Sequence, residues 1–244
     1  MKQKLYYWNL VLVAVLSLGM AACKGNQPVD GSEPEKSEFD KQMDRAMALA
    51  KQFGPTTQAL AEETADEFDG AVTPLNYKSR ESAERKCKTE QCMPLDLKDL
   101  ARTTVVAAWD SADVNMVIEF LITIAKEDDV FGRYKHQTSD YGYWGDIVNL
   151  MFVDQSDTLM TEIQVKTYGM VYAVDPEDVV RATIGDEYYN YIRDYTGLEP
   201  GLGHTYYEIM RADTTSATTN ANYQQLSIEY YSHFKNIPEP ESER

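Results

Sequence analysis

Alternating apolar and polar residues predict β-strands in the second half of the chain. In "MTEIQVKT", apolar side chains alternate with Glu162, Gln164 and Lys166, which is the two-residue period of a strand with one apolar and one polar face. That polar row is either a solvated sheet surface or the lining of a site. Two further runs, rich in β-branched and apolar residues, predict strands at 101–109 and 146–153.

Apolar residues at intervals of three and four predict helices elsewhere. Met43 and Met47 belong to one such stripe, which we expect Gly54 and Pro55 to end. Ser111 is a candidate N-cap for a later helix. The predicted helices are 38–53, 57–68, 79–88, a segment after Ser111, a segment capped by Asp175-Pro176, 186–196 and 223–234. This order indicates an α+β (α/β) fold class, with a mixed central β-sheet flanked by helices.

The start of the chain has the composition of an export signal. Lys2 and Lys4 precede an apolar run from Leu5 to Ala22, which is typical of a secretory signal peptide rather than a permanent membrane span. "GMAAC", ending at Cys23, resembles the lipobox of bacterial lipoproteins, in which the cysteine carries lipid after cleavage. This predicts a lipid anchor to the cell envelope; the alternative is an ordinary signal peptide in which Cys23 has no role.

Composition divides the chain into five predicted segments. They are a signal peptide at 1–22, a flexible tether at 23–37, N-terminal helices at 38–70, a main domain at 71–236 and an acidic tail at 237–244. The formal net charge is −17. A chain this acidic lacks the positive surface that attracts nucleic acid, so we expect no binding of free DNA.

Cys87 and Cys92 are the two cysteines that follow Cys23. In an exported protein this even pair can form a disulfide that closes a small loop. Two free thiols are the alternative. A zinc site is disfavoured because no matching Cys/His pair occurs elsewhere in the sequence.

A local basic cluster stands out from the acidic background at "KSRESAERK", residues 78–86. On a helix, Lys78, Ser82 and Lys86 recur every four residues and share one face. Two ammonium groups and a hydroxyl on one face suit the binding of phosphates. The alternative is a solvated basic face that pairs with nearby acidic residues.

Three stretches, in their order and spacing, resemble the synthetase domain of the RelA/SpoT family, including its small toxin-like members. They are "KSRESAERK", "LKDLARTTVV" at 97–106, and "YGYWGDIVNLMF" with "MTEIQVKT" between 141 and 167. The family carries K-x-x-x-S-x-x-x-K, an Asp at a strand start, a Gly-Tyr turn and an E-I-Q-[IV]-[RK]-T strand. "GHTYYEIMR" at 203–211 resembles a later helix of the family. The resemblance implies a nucleotidyltransferase-like synthetase fold.

The resemblance also implies an activity, in which Mg²⁺ and ATP serve to transfer a pyrophosphoryl group to the 3′-hydroxyl of GDP, GTP or another nucleotide acceptor. Such transfer needs cations on the donor phosphates, a carboxylate-held Mg²⁺ and an oriented nucleophile. The implied roles are donor-phosphate binding by Lys78, Ser82 and Lys86, catalysis and metal binding by Asp99 and Glu162, and acceptor binding by Tyr143, Gln164, Lys166 and His204.

Several of these residues also have structural interpretations. Asp99 can be a turn or cap residue before a strand, and Asp96 competes with it as the metal ligand. Tyr143 can pack inward from a hairpin turn, and His204 can be structural. The chain departs from the family at Asn76, where Arg is usual, which weakens ATP binding or signals lost activity. Trp144-Gly145 replaces a common Arg after the Gly-Tyr turn, which leaves the acceptor open.

The export signal conflicts with the implied activity, because the cell envelope holds little ATP. Three interpretations are open. The chain is an exported effector or toxin that acts in another cell; or the signal is weak and the enzyme works in the cytoplasm; or catalysis is lost and a lipid-anchored envelope protein binds a partner or ligand. The presence of both carboxylates and both lysines favours an enzyme.

Overall fold

A mixed β-sheet of six strands organises the residues that the structure describes, 36–212 and 216–241. The structure is a computed structural model. The strands are β1 (Ala71–Val72), β2 (Asn76–Tyr77), β3 (Ala101–Ala108), β4 (Phe131–Thr138), β5 (Trp144–Asp154) and β6 (Asp157–Thr167). Their order is β1-β3-β6-β5-β4, and β2 also pairs with β3. The β3–β6 pairing is parallel, and the other pairings in this part of the chain are antiparallel.

Helices pack around this sheet, as the sequence predicted. They are α1 (Glu38–Glu67), α2 (Arg80–Glu90), α3 (Ser111–Glu127), α4 (Tyr168–Val174), α5 (Glu177–Thr196), α6 (Leu202–Arg211) and α7 (Ala217–Ser232). On one sheet face, α1 and α3 bury Val105, Val148 and Ile163. A second cluster, rich in tyrosine, joins α4, α5 and α7 to Val106, which points the opposite way from Val105. The predicted mixed sheet flanked by helices is confirmed.

The three strands predicted from apolar and alternating patterns are confirmed as β3, β5 and β6. We did not predict β4, whose sequence is "FGRYKHQT". This strand lies at one end of the sheet order, and most of its side chains are exposed. An edge strand whose two faces are mostly exposed to solvent lacks the alternation of apolar and polar residues by which the buried strands were recognised.

The predicted break at Gly54-Pro55 is wrong, because one helix of 30 residues runs through it. Pro55 removes one backbone hydrogen bond, the one to the carbonyl four residues earlier. Further along the helix, Thr57 donates its hydroxyl to the Phe53 carbonyl at 3.1 Å. The Thr57 hydroxyl also lies 2.7 Å from that of Thr161 on β6. Burial of α1 against the sheet therefore outweighs the local cost of Pro55, and the predicted N-terminal helices at 38–70 are a single helix.

Two predicted helix caps are displaced by one residue. Asp110, rather than Ser111, caps α3, and its carboxylate accepts from the N–H groups of Ala112 and Asp113 at 2.7 and 3.0 Å. Asp175 ends α4, and Pro176 rather than Asp175 occupies the N-cap position of α5. The two residues that occupy the N-cap positions, Asp110 and Pro176, have the extended backbone that an N-cap requires.

Both ends of the chain extend beyond the described residues. The predicted signal peptide, the lipidation at Cys23 and most of the tether lie outside the described residues. Within the described ranges, no helix combines the length and apolar character needed to cross a membrane. The predicted boundary of the acidic tail at 237 is too early: Ile237 is buried, and the Pro238 carbonyl accepts from the Tyr191 hydroxyl at 2.9 Å.

We predict that Pro55→Ala stabilises the protein. Pro55 is exposed within α1, so alanine restores the missing backbone hydrogen bond without disturbing the core. A gain of about 1–3 kcal/mol in the free energy of unfolding is expected, which raises Tm by roughly 2–4 °C per kcal/mol. Thermal denaturation followed by circular dichroism measures it. The exposed neighbour Thr56→Ala is the matched control and should change stability by no more than about 0.5 kcal/mol. An unchanged or lower Tm for Pro55→Ala contradicts this account of α1.

Candidate functional site

A row of polar side chains crosses four neighbouring strands. Arg102 on β3 and Asn149 on β5 are the register partners of Glu162 on β6, and Arg133 on β4 is the partner of Asn149. Register partners place their side chains on the same face of a sheet. We call Arg102, Glu162, Asn149 and Arg133 the Glu162 row. Glu162 is therefore held in the middle of the sheet, on the face opposite the α1–α3 core.

The polar face of "MTEIQVKT" is not a solvated surface. Glu162 is only 8% exposed, and its Oε1 accepts from the Gln164 side-chain amide at 2.6 Å. Gln164 is partly buried and Lys166 fully buried. Burial raises the pKa of the Glu162 carboxyl above its ordinary value, and the charge of Asp99 acts in the same direction. Glu162 is thus a carboxylate that binds a proton more readily than an exposed glutamate.

Asp99 lies two residues before the start of β3 and forms ion pairs with two lysines. The ammonium groups of Lys78 and Lys86 each lie 3.0 Å from the same oxygen, Oδ2. Burial alone would raise the pKa of Asp99, but the charges of Lys86 and Lys78 and their hydrogen bonds hold it below its ordinary value. Asp99 also raises the pKa of Lys86, against the lowering effect of burial. We call Lys78, Asp99 and Lys86 the Asp99 cluster.

The two lysines reach Asp99 from different local structures. We expected Lys78, Ser82 and Lys86 on one helical face, but Lys78 precedes α2. Its backbone N–H donates to the Leu100 carbonyl at 2.9 Å, and Ser79 caps the helix in an extended conformation by accepting from the Ser82 N–H. Capping at Ser79 prevents the helix from extending back to Lys78. Ser82 lies in the first turn, where its Oγ accepts from the Ser79 hydroxyl at 3.1 Å.

Helix α2 is anchored to α1 by Arg80. Its guanidinium pairs with Asp40 at 2.9 Å and with Asp44 on α1, and with Glu84 on its own helix at 2.7 Å. These partners satisfy Arg80, so it serves to position the helix. The same helix carries Lys86 toward Asp99.

Asp99 and Glu162 suit the oxygen chemistry of Mg²⁺. The second oxygen of Asp99, Oδ1, is buried and has no hydrogen-bond partner among the described residues, and Glu162 lies near enough for the two carboxylates to interact electrostatically. Mg²⁺ is usually held by one or two carboxylates and completed by substrate phosphates and water. The described residues contain no group of three or more acidic, His or Cys side chains that could hold a metal on their own.

Tyr143 lies in the β4–β5 turn, near the Glu162 row. Its backbone N–H donates to Ser139 Oγ at 3.0 Å, and its ring meets that of Tyr231 edge to face at 5.9 Å between centroids. Burial raises the pKa of the Tyr143 hydroxyl, and the charge of Glu162 adds to that effect. The inward packing offered as the alternative interpretation is observed. Stacking on an acceptor base stays a prediction.

Lys166 is a buried cation at the end of β6. It is 4% exposed, and its ammonium has no hydrogen-bond or ion-pair partner among the described residues. Burial and the charge of Arg102 lower the pKa of Lys166, whereas Asp175 and Glu162 raise it. A buried ammonium without a close partner is available to an anionic ligand. A role for Lys166 in acceptor binding stays a prediction.

The remaining predicted site residues lie apart from this face. His204 is on α6 with its side chain 60% exposed, and its Nε2 is 3.9 Å from a Glu208 oxygen on the same helix. Cys87 and Cys92 are free thiols at the end of α2, with the Cys92 N–H donating to the Cys87 carbonyl at 3.1 Å. Burial, with Cys92 beside it, raises the pKa of Cys87 to about 12. The acceptor contact of His204 and the disulfide stay predictions.

Sequence reasoning missed three members of the Glu162 row. Asn149 is fully buried, donates to the Thr161 carbonyl at 3.1 Å and accepts from Arg133 Nε at 2.8 Å. Arg133 was missed because β4 was not recognised. Arg102 was detectable, since it is the one charged residue within an otherwise apolar and β-branched strand, but only the β3–β6 register places it beside Glu162.

Known proteins resemble this chain in sequence and in fold. No protein-family model matches the chain. It is 28% identical over 194 residues to the (p)ppApp synthetase toxin Tas1 of Pseudomonas aeruginosa (strain UCBPP-PA14); the match covers 79% of this chain and 42% of that protein, so the chain spans less than half the length of this curated relative.

Solved structures show the same fold. The crystal structure of the type VI effector Tas1 in complex with its immunity protein matches with a TM-score of 0.62 and 27% identity, over 81% of this chain and 98% of that one. The small alarmone synthetase 1 from Bacillus subtilis matches with a TM-score of 0.51 and 14% identity, over 80% and 93% of the two chains. Together, the order of the motifs, the fold and the identity to Tas1 show that the chain is similar to RelA/SpoT-type synthetases.

Proposed function

We propose that this protein is a Mg²⁺-dependent pyrophosphokinase that transfers a pyrophosphoryl group from ATP to the 3′-hydroxyl of a purine nucleotide. One observation carries the proposal: a buried carboxylate with a raised pKa, Glu162, interacts electrostatically with Asp99, which holds two lysines. This arrangement would supply a proton acceptor, metal ligands and donor-phosphate cations on one face of the sheet.

The donor side is formed by the Asp99 cluster. Lys78 and Lys86 present two ammonium groups on one side of the site, and triphosphate oxygens are the ligands that such cations bind. Asp99 and Glu162 would hold Mg²⁺, which when bound offsets the negative charge of the phosphates. Asn76, exposed on β2, supplies no cation at the position where the family resemblance implies Arg.

Glu162 is the group that would accept the proton from the 3′-hydroxyl. The O–H bond breaks, the proton moves to Glu162, and the ribose oxygen bonds to the β-phosphorus of ATP while AMP leaves. A raised pKa suits this role because the proton affinity of the base approaches what transfer near neutral pH requires. The Gln164 amide fixes the other side of the carboxylate through its 2.6 Å bond to Oε1.

The acceptor is the less constrained substrate. Tyr143 would stack on its base, which favours a purine but tolerates either one, while Lys166 would bind its phosphates. The named activity of the Pseudomonas relative, (p)ppApp synthesis, makes ADP and ATP the first acceptors to test beside GDP and GTP. Its description as a toxin also favours the interpretation of this chain as an exported effector that meets ATP in another cell.

We expect residues 24–244 to transfer label from β-phosphate-labelled ATP to at least one acceptor among ADP, ATP, GDP and GTP, only when Mg²⁺ is present. Thin-layer chromatography separates the products. Transfer of the β label, matched in a parallel reaction by transfer of label from γ-labelled ATP, identifies pyrophosphoryl transfer. Omission of the acceptor is the control. Folded protein that transfers label to none of the four overturns the proposal and favours a catalytically inactive envelope protein.

Glu162→Gln should lower the transfer rate by about 10²–10⁴-fold, the usual contribution of a general base. The same variant should have a higher Tm at pH 7. The pKa of Glu162 is higher in the folded protein than in the unfolded chain, where it lies near 4.5. The contribution of Glu162 to the free energy of unfolding is therefore fully present below pH 4.5, and it is lost as pH rises through the pKa of the folded protein. Glutamine stays neutral, so its advantage should shrink as pH falls toward 4.

The matched control for this variant is Glu119→Gln, which makes the same substitution at an exposed position of α3. It should change neither the transfer rate nor Tm by a measurable amount. Transfer by Glu162→Gln at the wild-type rate removes Glu162 from the mechanism, and a lower Tm at pH 7 contradicts the account of its burial.

The effector interpretation predicts toxicity inside a cell. Residues 24–244, expressed without the signal in the cytoplasm of a bacterium, should arrest growth and lower the ATP pool, and the Glu162→Gln variant should do neither at equal abundance. Growth curves with nucleotide extraction measure this. Arrest by both proteins alike would refute toxicity through catalysis. Labelling of the full chain with a fatty-acid analogue, compared with Cys23→Ser, tests lipidation separately.

A further inference from the structure

The Asp99 cluster contains a competition between lysine and metal. Lys78 and Lys86 occupy one oxygen of Asp99, while the other oxygen is buried without a hydrogen-bond partner among the described residues. We propose that the site takes a divalent cation only together with a polyphosphate chain, because the two lysines neutralise Asp99 until phosphate oxygens bind them. This inference rests on the proposed donor site.

Charge explains why free metal is excluded. One carboxylate and two ammonium groups give the Asp99 cluster a net charge of +1. A divalent cation that approaches Asp99 meets two like charges at close range, in a buried setting where charges interact more strongly than in water. Glu162 offers only partial compensation, because its Oε1 already accepts from the Gln164 amide at 2.6 Å.

A polyphosphate chain reverses this balance. Its oxygens are acceptors for the ammonium groups of Lys78 and Lys86, which then leave Oδ2, and both Asp99 oxygens become available to the cation. Lys86 has another acidic neighbour, Glu90, but at 3.8 Å and in an exposed position, so Glu90 is a weak competitor for the ammonium. Metal and polyphosphate therefore promote each other's binding, and linkage requires the effect to be equal in both directions.

The test measures Mn²⁺ binding without nucleotide, by electron paramagnetic resonance of the free ion. The variants are Lys86→Met and Lys78→Met, each of which frees Asp99 from one lysine. Lys88→Met is the matched control: it removes the same charge from an exposed position of α2 and leaves both ion pairs of Asp99 intact. Asp99→Asn, which removes the negative charge of the proposed metal ligand, measures how much Mn²⁺ binds elsewhere on the protein.

We expect at least about tenfold tighter Mn²⁺ binding by Lys86→Met and Lys78→Met than by wild type, within the usual range of coupling between sites. Lys88→Met should match wild type. For wild type, α,β-methylene-ATP, which cannot donate its pyrophosphoryl group, should increase the affinity of the protein for Mn²⁺. Water proton relaxation measures the protein-bound Mn²⁺. Inorganic tripolyphosphate should have the same effect if the phosphate chain alone displaces the lysines.

Two outcomes overturn the inference. One is tight Mn²⁺ binding by wild type without any polyphosphate; the other is wild-type affinity in both lysine variants, with circular dichroism showing that they are folded. The proposed function fails separately. If the lysine variants bind Mn²⁺ more tightly than wild type but the protein transfers no pyrophosphoryl group, the activity alone is refuted. If the protein transfers the group but both lysine variants bind Mn²⁺ with wild-type affinity, only the competition is refuted.

Discussion

The parallel pairing of β3 with β6 is the constraint on which the site depends. Asp99 precedes β3 and Glu162 lies within β6, 63 positions later in the sequence. The parallel register places Arg102 beside Glu162, with Asp99 close enough to Glu162 for their charges to interact. Parallel strands need a long crossover connection. The intervening chain supplies α3 for the core and then β4 and β5, which extend the polar face with Arg133 and Asn149.

This arrangement concentrates buried charge, which costs stability. Glu162 and Lys166 are nearly inaccessible to solvent, and burial shifts the pKa of each toward its neutral form. The pKa of Asp99 instead lies below its ordinary value, because two lysines offset the effect of its desolvation. Perturbed carboxylates and lysines gathered on one face are typical of a functional site, since a purely structural sheet would place apolar residues there and gain stability.

Local patterns predicted most of this molecule, and the failures have physical causes. Alternation and β-branched runs identified β3, β5 and β6 because these strands are buried on at least one face. The same rule missed β4, an exposed edge strand, and with it Arg133. Gly54-Pro55 predicted a break because local propensity takes no account of the sheet against which α1 packs. The motif residues Asp99 and Glu162 were found from the sequence, but their partners depend on strand register, which no local pattern encodes.

The contact between Arg80 and α1 has a consequence for how this domain can be divided. Lys86 reaches Asp99 from a helix whose first residue is fastened to Asp40 and Asp44. Composition separates residues 38–70 from the motif-bearing region, yet this segment holds in place the helix that carries Lys86, for which we propose donor binding. The smallest transferable module therefore begins before its first recognisable motif, and a fusion or domain exchange that starts at the motifs would separate the lysine helix from its support.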